Sequence, residues 1–84
     1  MTADDRTKVR GFLEAQLRER DDRAPFGDDE ALLSAGRLDS LAVVHFVMFL
    51  EEEFGVDFAR IEFDPQRFDT VARVLEIIAE SRGP

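Results

Sequence analysis

The sequence predicts an all-α fold, a four-helix bundle with a long first loop and a short third helix. Three observations carry this expectation. Apolar residues recur at i, i+3 and i+4 in three long stretches, which is the mark of helices with one buried face. No stretch alternates apolar and polar residues long enough to make a strand. The chain of 84 residues has no cysteine, so it has no disulfide or thiolate-metal staple, and small folds of that kind usually rely on well-packed helices. A chain of this size supports one core, so residues 1–84 are read as a single domain.

The first helix covers residues 2–20, TADDRTKVRGFLEAQLRER. Thr2 and Asp5 make a start like a capping box, and Val9, Phe12, Leu13 and Leu17 share a face. Gly11 inside it costs roughly 1 kcal/mol of helix propensity, which packing has to offset. Residues 21–39 hold Pro25, Gly27, Gly36 and several aspartates, the punctuation of a loop. So long a loop in so small a domain is expected to be pinned, with Phe26, Leu32 and Leu33 as the pins and residues 29–33 as a short helical turn. The second helix runs from Ser40 to just before Gly55, with Val43, Phe46, Val47, Leu50 and Phe54 as its buried face. Asp64-Pro65 pairs a capping side chain with proline at the first helical position, which places the short third helix at DPQRF. The fourth helix lies within residues 68–81. Asp69 or Thr70 caps it, and Val71, Val74, Leu75, Ile77 and Ile78 make its stripe.

Charge narrows the range of functions. The net charge is −8, which argues against nucleic acid as a partner. Residues 28–57 hold eight acidic residues against Arg37 alone, so nearly the whole imbalance sits there. Such a segment is a solvated surface or a means of steering basic partners. The longest uncharged run is too short to span a bilayer and the N-terminus lacks the apolar stretch of a signal peptide, so a cytoplasmic protein with no membrane insertion is expected. One histidine without cysteine is poor material for a transition-metal site, and Asp28-Asp29-Glu30 lacks the spacing of a calcium loop. No nucleophile–base pair stands out, so an enzyme is not expected.

The second helix has more apolar residues than its core face needs. Leu41, Val44 and Met48 fall at i, i+3 and i+7 and form a stripe that leads back to Ser40. A contiguous apolar stripe suggests a docking surface, and methionine adapts to differently shaped partners. Serine ahead of an apolar run is most often an N-cap. It can also be a modification site, because a helix N-terminus favours a phosphate. His45 lies five residues further along the same helix and faces away from Ser40, so the two do not make a catalytic pair.

Asp39-Ser40-Leu41 then acquires a context: Gly36 three residues before Asp39, an apolar helix after it, LEEEFG at 50–55, and FDTV at 68–71 opening the last helix. The whole chain resembles the acyl carrier and peptidyl carrier protein family. The resemblance implies that Ser40 takes 4′-phosphopantetheine covalently from coenzyme A through a separate phosphopantetheinyl transferase, with Asp39 and Leu41 flanking the attachment point. The prosthetic thiol would hold an acyl or aminoacyl group as a thioester. The implied recognition surface comprises Asp39, Leu41, Val44, His45, Met48, Glu51 and Glu52. Where carriers of fatty-acid synthesis tend to have acidic residues after this motif, the chain has Ala42 and His45. The Gly36–Ser40 and 63–71 regions are similar to discrete D-alanyl carriers and to carriers of polyketide and nonribosomal peptide pathways. The resemblance thus implies a stand-alone, monomeric carrier of specialised metabolism, loaded by an adenylating ligase or acyltransferase and discharged to a downstream acceptor enzyme. Alternatives are a D-alanyl carrier for cell-envelope modification, then a carrier of fatty-acid synthesis, and, in another class, an unmodified helical adaptor.

Overall fold

A computed structural model describes residues 3–61 and 64–83, with the backbone alone for Ala3 and Asp4. Among the described residues there are three α-helices: α1 (Ala3–Glu19), α2 (Ser40–Phe54) and α3 (Val71–Arg82). No strand occurs among the described residues, so the all-α class holds. The expected third helix is one 3-10 turn, Pro65–Phe68, not an α-helix. Asp64 caps it by accepting the Gln66 N–H, and Asp69 closes it five residues on, which leaves no room for an i→i−4 ladder.

Loop 21–39 is tied down at several points. Leu32 and Phe26 are buried as expected, and Leu33 packs at the core edge. Residues 29–33 do not form the expected helical turn, because Asp69 takes their donors. The Asp69 carbonyl accepts the Leu32 N–H (2.8 Å), and its carboxylate accepts those of Leu33 (2.7 Å) and Ser34 (3.0 Å) and the Ser34 hydroxyl (2.7 Å). Burial pushes the Asp69 carboxyl up, but the bonds from Ser34, Leu33 and Leu32 outweigh it and hold the group below the usual carboxylate range. With Asp69 committed to the loop, Thr70 caps α3 by accepting the Arg73 N–H (3.1 Å). Thr2 of the expected capping box lies outside the described residues. Asp5 is 5% exposed and takes a two-armed bond from Arg82 (2.5 and 3.1 Å), which joins the start of α1 to the end of α3.

Val9, Leu13 and Leu17 of α1 meet Val71, Val74, Ile77 and Ile78 of α3 and Phe46 and Leu50 of α2 in one core. Burying each such side chain contributes about 1.5–3 kcal/mol, so the amphipathic faces hold the helices together. On α2 the inward residues are Ala42, Val43, Phe46 and Leu50, while Val47 and Phe54 are half-buried at the rim. Phe49 completes the packing from the side, stacked on Phe12 at 4.4 Å, and Phe12 in turn meets Phe46 at 5.1 Å. Gly55 ends α2 at φ 65°, a left-handed conformation that glycine adopts without a Cβ penalty. Its N–H and that of buried Val56 close back on Glu51 and Leu50.

Candidate functional site

Ser40 sits on a mount built by the turn from Leu32 to Asp39. The Leu32 carbonyl accepts the N–H groups of both Arg37 (2.9 Å) and Leu38 (3.0 Å), closing a turn through Gly36 at φ 81°. Leu38, 4% exposed, plugs the turn into the core. Arg37 commits its guanidinium to loop 21–39: to Asp22 (2.9 and 3.1 Å), Glu30 (2.5 Å) and the carbonyls of Ala24 (2.7 Å) and Pro25 (3.3 Å). The one base of the acidic segment is therefore an internal brace rather than a surface charge.

Asp39, not Ser40, is the N-cap of α2. It has extended backbone and its Oδ1 accepts the Ala42 N–H at 3.0 Å, while Oδ2 pairs with Arg20 at 2.8 Å. The Ala42 N–H first, and then the Arg20 guanidinium, hold the Asp39 carboxyl below the usual carboxylate range. Ser40 is the first helical residue, exposed, and its Oγ has no hydrogen-bond partner among the described residues. An exposed hydroxyl on a braced helix start, with no neighbour competing for it, fits covalent attachment of a group brought by another protein. His45 is five residues on, about 140° around the axis and about 7.5 Å along it, so no base faces the serine from there. No cluster of potential metal ligands exists among the described residues.

Inward Ala42, Val43 and Phe46 set the rotation of α2, and that rotation puts Leu41 (61% exposed), Val44 (53%) and Met48 (51%) outward. They form a ridge from Ser40 toward exposed Glu51 and Glu52, about 18 Å away at the helical rise. No cation among the described residues pairs with Glu51 or Glu52, whereas Glu53 stands 3.9 Å from Lys8. His45 is exposed on the same side of the helix as Leu41 and Met48, four and three residues from them. Ala42 is 6% exposed and faces the core, so of the two departures after the motif only His45 stands where a partner could touch it. Two residues that matter here carry no signal in sequence spacing. Arg20 reaches Asp39 across 19 residues of chain, and Asp69 holds the loop from 35 residues away. Only a tertiary contact reveals either.

A small helical domain that presents an exposed serine at the head of one helix, with an apolar ridge and free carboxylates beside it, is built to carry a group and show it to other proteins. The chain belongs to the family described as phosphopantetheine attachment site, whose pattern matches residues 7–78, all but the ends. It is thus an acyl- or peptidyl-carrier-type domain that bears 4′-phosphopantetheine as a covalent prosthetic group, a carrier and not an enzyme. Carriers of this family are modified by a phosphopantetheinyl transferase and served by loading and acceptor enzymes. Nothing matches the chain among curated proteins or among solved structures. None of its described helices is long and apolar enough to cross a membrane.

Proposed function

We propose that residues 1–84 form one cytoplasmic, monomeric carrier domain whose Ser40 is the attachment point, and that it serves a polyketide or nonribosomal peptide pathway. The observation that supports Ser40 is its exposed, unpartnered hydroxyl on the first turn of a helix already capped by Asp39. In the attachment, Ser40 Oγ forms a phosphodiester with the phosphopantetheine half of coenzyme A. The pyrophosphate bond breaks, adenosine 3′,5′-bisphosphate leaves, and the serine proton passes to a base of the transferase. When bound, the prosthetic group supplies a thiol that holds the cargo as a thioester. The chain's own residues present that thiol: Arg37 and Leu38 fix the mount, Asp39 and Leu41 flank the serine, and Leu41, Val44 and Met48 offer the apolar contact. Glu51 and Glu52 attract basic partners. His45 lacks the carboxylate that would favour a basic docking site, which supports an adenylating ligase or acyltransferase of a dedicated pathway as the loading enzyme.

Because the chain has no cysteine, any thiol it gains is the prosthetic one. Incubation with coenzyme A and a phosphopantetheinyl transferase, followed by gel filtration and thiol titration, should give a single thiol per chain. Ser40→Ala should give none; an equal thiol yield from Ser40→Ala would move the attachment point elsewhere.

A further inference from the structure

The start of α2 is poorly supplied with free donors for a phosphate. Asp39 already uses the Ala42 N–H through its side chain (3.0 Å) and the Val43 N–H through its carbonyl (3.2 Å). The attachment proposed above would add a phosphodiester to Ser40 and set a second negative charge beside the Asp39 carboxylate. Arg37 cannot answer it, because Asp22, Glu30 and two carbonyls already surround its guanidinium, 16% exposed. Arg20 can. It stands just past α1, in a turn closed by its own N–H on the Leu17 carbonyl (3.0 Å) and by Asp21 in the left-handed region at φ 62°. Its Nη1 reaches Asp39 Oδ2 at 2.8 Å with the side chain 37% exposed. A guanidinium carries five N–H donors in a rigid fork, so the contact with one carboxylate oxygen leaves others to offer.

We propose that Arg20 is a positioning residue for the prosthetic group: it bridges the Asp39 carboxylate and the phosphodiester on Ser40, neutralising the pair and fixing the root of the arm against the end of α1. This rests on Ser40 as the attachment point. In the unmodified chain Arg20 pairs with Asp39 and, second to Arg37, its charge also lowers the Asp22 carboxyl pKa; modification recruits its remaining donors.

The test compares unmodified and modified forms of the full chain as wild type, Arg20→Gln and Arg20→Lys, prepared with coenzyme A and a transferase and checked by intact mass. Modification should leave the wild-type thermal midpoint within about 1 °C and lower that of Arg20→Gln by about 3 °C at low salt. That loss should shrink at ~0.5 M salt, where screening acts over a few ångströms, and Arg20→Lys should recover most of it. The Arg20 side-chain N–H resonance should move when the wild type is modified and stay put when Ser40→Ala receives the same treatment, a readout that a purely structural arginine would not give. A fully modified wild type with an unmoved Arg20 resonance would overturn the role of Arg20 and leave Ser40 intact. So would equal midpoint changes in wild type and Arg20→Gln, or Arg20→Lys no better than Arg20→Gln. A chain that gains no phosphopantetheine, or gains it elsewhere, would overturn Arg20 and Ser40 together.

Discussion

Asp69 joins two segments that the chain separates by 35 residues, and its removal should loosen the mount of the serine. Its carboxylate accepts the half-buried Leu33 N–H at 2.7 Å and, on the exposed side, the Ser34 N–H and hydroxyl. In Asp69→Ala water can replace the two Ser34 bonds, so these cost little. The Leu33 N–H is left without its partner against the core edge, a loss of about 1–3 kcal/mol. With little added by the Ser34 bonds, about 1–3 kcal/mol is expected, and less for Asp69→Asn, which keeps a carbonyl acceptor for Leu33. The sign of the pH effect follows from the depressed carboxyl. A carboxyl whose folded-state pKa lies below its unfolded value near 4 stabilises the fold above that value, and the contribution disappears as pH falls through the folded pKa. The wild type should therefore lose its advantage over Asp69→Asn as pH drops below about 4. Urea unfolding followed by circular dichroism, at neutral pH and at a series of acid values, measures both. An Asp69→Ala variant within 0.5 kcal/mol of wild type, or a gap to Asp69→Asn that widens in acid, would refute the clamp.

Gly11 is exposed in the middle of α1 and a Cβ there meets nothing within 4 Å. Packing does not require it, so Gly11→Ala should stabilise by about 1 kcal/mol and raise the thermal midpoint by about 4–8 °C. Val44→Ala and Met48→Ala should leave stability within about 0.5 kcal/mol, since both side chains are half exposed or more, yet speed dissociation from a loading enzyme in stopped-flow or surface-binding kinetics. Charge reversal at Glu51 or Glu52 should instead slow association, with an effect that fades as salt rises. His45→Glu should improve handling by a fatty-acid malonyltransferase in direct competition with wild type. Equal and efficient malonylation of both would remove the support for a dedicated pathway.

Much of this was legible in the sequence because it is periodic. The i, i+3, i+4 pattern located α1, α2 and α3, and the same periodicity separated Leu41, Val44 and Met48 from the core of α2, where they prove to be the exposed ridge. Caps were legible to within a residue: Ser40 opens α2, but the cap is Asp39, because its carboxylate reaches the Ala42 N–H while the serine hydroxyl points to no partner. What depends on contacts between distant segments was not legible. Residues 29–33 have the composition of a helical turn and lose it to Asp69; Asp5 reads as a cap and pairs with Arg82; Arg37, counted only as the one base of the acidic segment, braces the loop. Ala42 stands where fatty-acid carriers tend to have an acidic residue, and the rotation of α2 turns it inward.

The most direct test of Ser40 as the carrier residue is intact-mass and fragmentation analysis of the chain after treatment with coenzyme A and a phosphopantetheinyl transferase. Ser40→Ala is a clean control, because Asp39 supplies the cap and alanine suits a first-turn position, so its stability should stay within about 0.5 kcal/mol of wild type. The prediction is one phosphopantetheine on the wild type, located on Ser40, and an unchanged mass for a folded Ser40→Ala. An unmodified wild type, or a modified Ser40→Ala, would contradict it.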